Sequence, residues 1–335
     1  MVRLKSSAIL LGALLWPALS FAQLPNILEQ ARKEGEVVLY TTMTVRDFEL
    51  FNQAAKGKYP FLNIRHVYLS SSRQAAKVMQ EHRAGRLQAD VLGNSLSALL
   101  HYKEPGILGS YLSPEAKHLI PGSADPDGYW SGMTTDLLVT AFNTREISRA
   151  KAPQGYSDYL NPGFRGQMAI NSGVPYGLIG MVTLRGEEQG IAYMKRLGQQ
   201  NLRPVEGFTH ITNLLAAGEF PLAIFMQVSK IEAMKEKGAP VDWLPGSPTF
   251  ATLSAVAIAR EPPHPAAARL LIDFYLSAEG QQALARAGKI PLRRRVKSPA
   301  KEIDALLESG GLHVIKPEGD YTRYMKLYSE FIGVR

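Results

Sequence analysis

Short apolar runs rich in β-branched residues alternate with segments of helical periodicity along almost the whole chain. In its first third, three such runs predict buried strands at 36–40, 64–69 and 89–92. The segment after the first run places Phe48, Phe51 and Ala55 three or four positions apart, which predicts one apolar helix face. Strands that alternate with amphipathic helices are typical of βαβ units, so the pattern predicts an α/β fold with a mainly parallel sheet.

A second series of the same kind begins after Trp130. Its apolar runs predict strands at 137–142, 167–170, 221–226 and 252–258. Helical patterns lie at 191–197, 211–217 and 265–276. Neither an internal repeat nor a long linker separates the two series, so we expect two lobes that are joined by crossing strands.

The first 22 residues have the pattern of an export signal. Arg3 and Lys5 precede an apolar run at 8–16 that is too short to span a bilayer and remain there. Small residues at the end of this segment predict cleavage between Ala22 and Gln23. The chain has no cysteine that could carry a lipid, and no later run approaches the ~18 apolar residues of a spanning helix. We therefore expect an exported, periplasmic protein that is not anchored to the membrane.

Composition and motifs narrow the function classes. The chain has 38 Lys and Arg against 30 Asp and Glu, a formal charge of +8, of which two charges belong to the predicted signal. The basic run Arg293–Arg295 has no interleaved aromatic residues, so nucleic acid is not an expected partner. The motifs of zinc proteases, nucleophile elbows, P-loops and dinucleotide sites are missing, and the seven histidines show no ligand spacing. We therefore expect no enzymatic activity, no cofactor and no bound metal.

Four predicted loops that follow strands are rich in hydroxyl and amide side chains and contain no carboxylate. They lie at 41–44, 70–73, 93–95 and 171–173. In open α/β sheets ligands bind at the carboxyl ends of strands, where helix N-termini direct free N–H groups outward. Hydroxyl groups, helix N-termini and a nearby arginine together favour an anion. Ser71 and Gln74 also have the spacing of a capping box, which would need no ligand.

Six short segments form an ordered series of motifs, namely Glu34–Tyr40, Gln88–Val91, Tyr159–Gly166, Gly218–Ala223, Glu279–Leu284 and Ile290–Arg293. Spread over about residues 27–298, this series resembles the ferric-iron-type extracellular solute-binding proteins (family 1) of bacterial ABC importers. The resemblance implies an α/β, two-lobed periplasmic binding protein fold of type II. Each lobe would then be a mixed, mostly parallel sheet flanked by helices.

The same resemblance implies how the lobes are built and what they do. The N-terminal lobe would comprise 24–133 plus 254–292, and the C-terminal lobe 134–253 plus 293–335. A ligand cleft would lie between them, and hinged closure would trap the ligand and present it to a cognate ABC permease with its ATPase. We expect the protein to act as a monomer.

The iron site of this family does not carry over residue by residue. Its members hold ferric ion with a His, a Glu and a pair of Tyr side chains. In this chain the His position falls on Met43 or Thr44, the Glu position on Ser95, and the tyrosines on Val228 and Ser229. Ferric ion is a hard cation that prefers anionic oxygen ligands, which these neutral side chains do not supply. The family's anion-binding loop, at 171–176, is better kept, so the resemblance implies a cleft that binds an anion without a metal.

We therefore expect a receptor for a small organic anion, with phosphonates, phosphate esters and carboxylates as the candidate classes. The expected ligand-binding residues of the first lobe are Thr41, Thr42, Thr44, Arg46, Ser70, Ser71, Ser72, Arg73, Asn94 and Ser95. Those of the second lobe are Ser172, Gly173, Tyr176, Phe208, Thr209 and Gln227. Arg46 or Arg73 would supply the salt bridge, and Tyr176, Phe208 or Phe250 would form an apolar wall.

Two alternatives remain open from the sequence. One is a protein that binds ferric iron or takes up iron wrapped in a carrier anion such as citrate. The other is an exported enzyme on the same two-lobed scaffold, although the chain has no nucleophile–base or paired-carboxylate motif.

Overall fold

The structure is a computed structural model that describes residues 23–316 and 321–334. The predicted export signal at 1–22 lies outside the described residues. The helices are α1 (Gln23–Glu34), α2 (Val45–Lys58), α3 (Ser71–Arg83), α4 (Leu96–Leu100), α5 (Tyr176–Arg185), α6 (Glu187–Gly198), α7 (Phe208–Ala217), α8 (Val228–Lys235), α9 (Pro265–Leu276), α10 (Ala278–Arg286), α11 (Lys301–Ser309) and α12 (Tyr321–Ile332). The strands are β1 (Glu36–Thr41), β2 (Asn63–Tyr68), β3 (Val91–Ser95), β4 (Ser131–Asn143), β5 (Met168–Asn171), β6 (Arg203–Val205), β7 (Leu222–Gln227), β8 (Val241–Ile258), β9 (Ile290–Pro291) and β10 (Leu312–Val314).

The strands form one continuous mixed sheet that extends through two lobes. Its order is β2-β1-β3-β8-β4-β7-β5-β6, with β9 added beside β4 and β10 beside β8. The βαβ units β1–β2, β1–β3, β5–β6 and β5–β7 pair in parallel, as the alternating pattern predicts. The pairs of β8 with β3 and β4, and of β4 with β7, are antiparallel. The α/β class and the mixed, two-lobed architecture are therefore confirmed.

Two long strands, β4 and β8, connect the lobes. The end of β8, from Ser254 to Ile258, pairs with β3 of the first lobe. The second half of β4, from Leu138 to Phe142, pairs with β7 of the second lobe. Both strands therefore belong to both halves of the sheet, and they pair with each other along the junction. The two lobes are therefore joined by crossing strands, as the lack of a linker in the sequence predicts.

Both crossing strands are longer than the pattern predicts. β4 has 13 residues and β8 has 18, whereas the apolar runs cover only 137–142 and 252–258. Pro245 and Pro248 interrupt the apolar pattern of β8, and proline within a run normally indicates a strand edge or a bulge. The register of β4 on β8 shifts after Leu138, and this irregularity lets the strand continue past the prolines.

The buried side chains group by lobe. One cluster draws on residues between 31 and 133 and between 253 and 292, where the Phe51 ring stacks on Tyr275 at 4.1 Å between centroids. Two further clusters, on the two faces of the other half of the sheet, use residues between 137 and 332. Phe48, Phe51 and Ala55 are all buried, which confirms the predicted face of α2. The boundaries of the lobes given above stay a prediction.

Candidate functional site

A cleft of about 1370 Å³ opens above the middle of β4 and β8, between the two lobes. Its lining includes nine of the residues that the sequence predicts, namely Thr42, Arg46, Ser70, Ser71, Ser72, Asn94, Ser95, Tyr176 and Gln227. The loops after β1, β2 and β3 supply the first wall, whereas the beginnings of α5 and α8 supply the second. The remaining predicted residues, Thr41, Thr44, Arg73, Ser172, Gly173, Phe208 and Thr209, are not part of this lining.

A buried amide network holds the three loops of the first wall together. The Asn94 side chain donates from Nδ2 to Gln74 Oε1 at 2.7 Å, and its Oδ1 accepts a hydrogen bond from Ser71 Oγ at 3.1 Å. Gln74 Nε2 in turn donates to the backbone carbonyls of Tyr40 and Gly93 at 3.0 and 3.1 Å. Because Gln74 is fully buried, these bonds fix the carboxyl ends of β1 and β3 relative to α3.

The serine-rich turn before α3 differs by one residue from the predicted capping box. Ser70, not Ser71, caps the helix, and its Oγ accepts from the backbone N–H of Arg73 at 3.4 Å. Gln74 turns inward to the network described above and does not cap the helix. The Ser71 hydroxyl is thereby directed to Asn94 at the cleft wall, and the capping interpretation of Ser71 is wrong. The side chain of Arg73 is exposed outside the cleft lining.

Two threonines of the first loop form local backbone contacts. Thr41 is buried, and its Oγ1 accepts from the backbone N–H of Met43 at 3.1 Å. Thr44 caps α2 by accepting from the backbone N–H of Asp47 at 3.2 Å. A Cβ added at Gly93 would lie 2.9 Å from Thr41 Oγ1, so only glycine allows β1 and β3 to approach this closely here. Thr41 and Thr44 therefore shape the wall, and Thr42 between them lines it.

The predicted loop of the second lobe uses its backbone donors internally. The N–H of Ser172 donates to the carbonyl of Val205, and that of Gly173 to Oδ1 of Asn171 at 2.9 Å. Asn171 Oδ1 also accepts from the N–H of Gly207 at 3.3 Å. Neighbouring Val174 reaches the cleft lining instead, together with Tyr176 at the start of α5.

The predicted apolar wall is only partly formed. The Tyr176 ring lines the cleft and stacks on Phe208 with 6.5 Å between centroids, which places Phe208 behind it. Thr209 is exposed outside the lining. Phe250 is fully buried and stacks on Tyr156, so the expectation that it faces a ligand is wrong. Burial raises the pKa of Tyr176 to about 12, so its hydroxyl is a neutral hydrogen-bond donor at physiological pH.

Positive charge predominates at the rim of the cleft. Arg46 and Lys230 are exposed, one from each wall, and neither has a carboxylate within ion-pair distance among the described residues. Lys289 also lines the cleft, but its Nζ lies 2.8 Å from Oδ2 of Asp47, so these two charges compensate each other. The two unpaired cations can therefore attract an anion into the cleft.

A carboxylate that the sequence analysis missed lies on the floor of the cleft. Asp136 belongs to β4, and its Oδ1 accepts from the backbone N–H of Ser229 at 3.2 Å, while Oδ2 accepts from the Ser229 hydroxyl. Desolvation raises the pKa of Asp136 to about 6, although the bonds from Ser229 and the charge of Lys230 act in the opposite direction. A signal was present, because Asp136 is a single acid within an otherwise uncharged 13-residue strand.

Four further residues that the sequence did not predict are hydroxyls of the crossing strands. They are Thr134, Thr135, Thr252 and Ser254, and all four line the cleft. Their position follows from the pairing of β4 with β8, in which Asp136 is opposite Thr252 and Thr134 is opposite Ser254. Sequence periodicity could not reveal them, because it does not show which of two strands more than a hundred residues apart pair with each other.

The positions at which the resemblance places the family's iron ligands are divided between core and cleft. Met43 and Val228 are buried, whereas Ser95 and Ser229 line the cleft. Within residues 23–316 and 321–334, no three His, Asp or Glu side chains come close enough together to hold a metal ion. The hydroxyl-rich lining and the unpaired cations are suited to an anion.

The architecture is the two-lobed fold of type II periplasmic binding proteins. The structure is similar to that of iron-bound HitA from Pseudomonas aeruginosa, with a TM-score of 0.73 and 19% identity over 88% of this chain and 99% of that one. It is also similar to AfuA from Actinobacillus pleuropneumoniae with fructose-6-phosphate bound, with a TM-score of 0.66 and 23% identity over 90% and 99% of the two chains.

Sequence comparison gives the family. The model of the bacterial extracellular solute-binding protein family matches residues 92–312, more than half of the chain. The chain therefore belongs to this family of solute-binding proteins, which serve ABC importers. A curated relative is an uncharacterized protein of Haemophilus influenzae, 23% identical over 273 residues that cover 77% of this chain and 78% of that one. In the described part of the chain, no helix has the length and apolar character needed to cross a membrane.

Proposed function

We propose that this protein captures a small organic anion in the periplasm and delivers it to the permease of an ABC importer. The anion would be a phosphonate, a phosphate ester or a carboxylate. One observation carries the proposal: hydroxyl groups from both lobes and from the crossing strands surround a cleft in which two unpaired cations, Arg46 and Lys230, outnumber the one unpaired carboxylate, Asp136.

The charge balance of the lining supports an anionic ligand. Of its two carboxylates, Asp47 is neutralised by Lys289, which leaves Asp136 as a single negative charge against the two unpaired cations. Hydroxyl side chains supply neutral donors, and each hydrogen bond to a charged group is worth about 1.5–3 kcal/mol. Arg46 lies in the first turn of α2, a 14-residue helix whose N-terminus adds partial positive charge.

The same lining disfavours direct ferric binding. At the positions of the family's tyrosines the chain has the buried Val228 and the Ser229 hydroxyl, which donates to Asp136. Ferric ion requires several anionic oxygens, and Asp136 is the one carboxylate of the lining without an ion pair in the described residues. Hinged closure about β4 and β8 would trap the anion, and we expect a monomeric receptor without a cofactor and without catalytic turnover.

The proposal is tested by native mass spectrometry of protein purified under mild conditions from its host, which weighs any ligand that remains bound. A thermal-shift panel then compares ethylphosphonate, ethyl phosphate, succinate, ferric citrate and the neutral sugar glucose. Binding to the folded state raises the transition temperature, so at least one simple anion is expected to stabilise the protein. Stabilisation by ferric citrate alone would favour the iron-chelate alternative, and turnover of a stabilising ligand would favour an enzyme.

A further inference from the structure

The carboxylate of Asp136 is the feature of the cleft that an anion receptor does not need. It lies on the floor of the cleft, in the strand that crosses between the lobes. An ionised carboxylate taken out of water is costly unless it is paired or well hydrogen-bonded. Among the described residues no cation lies within ion-pair distance of Asp136. Its carboxylate accepts hydrogen bonds from the N–H and hydroxyl of Ser229, and the backbone N–H of Leu137 is also directed at it.

A structural role explains only part of this arrangement. The bond from the Ser229 N–H makes Asp136 a cap for the N-terminus of α8, where Gln227 supplies no side-chain cap. A carboxylate can accept about four hydrogen bonds, and Ser229 occupies one on each oxygen. With the Leu137 N–H also directed at the carboxylate, one acceptor position remains for a ligand. Capping alone would be served equally well by Asn, which is neutral and carries no desolvation cost as an ion.

We propose that Asp136 is a specificity-determining residue that accepts a hydrogen bond from the ligand, so that the preferred ligand is bifunctional. One end would be the anionic group held by the hydroxyls and Arg46, and the other would carry an ammonium or hydroxyl donor that reaches Asp136. This inference rests on the proposed function and narrows its ligand class. Both kinds of donor supply what the carboxylate lacks, and an ammonium group would also compensate its charge.

The test compares three probes that share one anionic head and differ at the other end. They are ethylphosphonate, 2-hydroxyethylphosphonate and 2-aminoethylphosphonate, and a parallel series uses propionate, 3-hydroxypropionate and β-alanine. Calorimetry on the wild-type protein should show at least about tenfold tighter binding of a donor-bearing probe than of its parent. Equal affinity across both series would overturn the role of Asp136 and leave the proposed function standing. No binding of any of these probes would overturn the inference, and the proposed function would be overturned as well only if no anion of the thermal-shift panel stabilised the protein.

Two variants of Asp136 show whether the ligand's donor is an ammonium or a hydroxyl group. Asp136→Asn keeps an acceptor but removes the charge, so it should abolish a preference for the ammonium probe and retain much of a preference for the hydroxyl probe. Asp136→Ala removes the acceptor and should abolish both preferences. If the preference survives in both variants, Asp136 is a helix cap and the inference is wrong.

The chain offers a matched control for these substitutions. Asp273 is a second partly buried carboxyl with a pKa raised by burial to about 6, and it accepts hydrogen bonds from Tyr111 and Ser113 in the first lobe. It lies outside the cleft lining. Asp273→Asn removes the charge of a similarly buried carboxyl that does not contact the ligand. It should therefore leave the ratio between the affinities of the donor-bearing probe and its parent unchanged within about twofold. An equal loss of preference in Asp273→Asn would assign the effect to the lobe as a whole and overturn the inference.

Discussion

Asn94 donates a hydrogen bond from Nδ2 to Oε1 of Gln74, with 2.7 Å between the two atoms. Gln74 has no contact with solvent, and Asn94 is buried at the cleft wall, so this bond joins a core residue of α3 to the loop after β3. Ser71 is bonded to the same Asn94 side chain. The orientation of the hydroxyls that face the cleft therefore depends on a glutamine that no ligand can touch.

Replacement of Gln74 should weaken both stability and ligand binding. Gln74→Leu keeps a similar volume but leaves the Asn94 amide without its acceptor and removes two bonds to backbone carbonyls. A buried polar group without a partner costs about 1–3 kcal/mol, so denaturant unfolding should show a loss of about 2–4 kcal/mol. Gln80→Leu on the exposed face of α3 is the control and should change stability by less than about 0.5 kcal/mol. Similar losses in the two variants would contradict the role of the network.

The sequence could predict the lobes and much of the first wall because both follow from local patterns. Helix α9 was expected at 265–276 and spans Pro265–Leu276, and the loops after β1, β2 and β3 do reach the cleft. The floor could not be predicted, since Thr252 and Asp136 meet only through the pairing of two strands more than a hundred residues apart. The Gln74 network could not be predicted either, because the spacing of Ser71 and Gln74 fits a helix cap as well as a buried amide.

The two candidate arginines should differ in their effect on binding. Arg46 lines the cleft, whereas Arg73 is exposed outside it, although both lie in the first turn of a helix beside a serine- or threonine-rich loop. Arg46→Ala should lower the affinity for the anion that stabilises best in the thermal-shift panel at least tenfold, because it removes a charge-assisted contact of about 1.5–3 kcal/mol. Arg73→Ala should change the affinity less than about threefold. Calorimetry measures both affinities. A larger loss in Arg73→Ala than in Arg46→Ala would place the anionic subsite near α3.

Stability should decline as pH rises through the titration of two partly buried carboxyl groups. Burial raises the pKa of Asp136 and of Asp273 from 3.8 to about 6 in the folded protein, so the folded state holds these protons more tightly than the unfolded state. Each group therefore favours folding below about pH 4, and this contribution is lost between about pH 4 and 6. Urea unfolding at pH 5 and pH 7.5 measures the difference.

The corresponding asparagine variants isolate these contributions. Asp136→Asn and Asp273→Asn should each raise stability at pH 7.5, on the order of 1–2 kcal/mol after allowance for the partial exposure of the carboxyls. At pH 4 the variants should be close to the wild type. A destabilised Asp136→Asn protein at pH 7.5 would show that the ionised carboxylate is compensated within the fold, which would remove the reason to expect a ligand donor there.

Two helical glycines should respond oppositely to alanine. In α5, a Cβ at Gly180 would lie 2.5 Å from the Phe250 ring, and that ring is fully buried against Tyr156. The ring has no room to move, so Gly180→Ala should destabilise the protein by about 1–3 kcal/mol despite the higher helix propensity of alanine. In α2, a Cβ at Gly57 has no atom within 4 Å, and Gly57→Ala should stabilise by up to about 1 kcal/mol. Thermal and denaturant unfolding of the two variants measure the packing directly.

Because α5 presents Tyr176 to the cleft, Gly180→Ala should also lower anion affinity, whereas Gly57→Ala should not. A neutral Gly180→Ala protein with unchanged affinity would mean that the Phe250 ring can shift, and that the second wall of the cleft is less rigid than this contact implies.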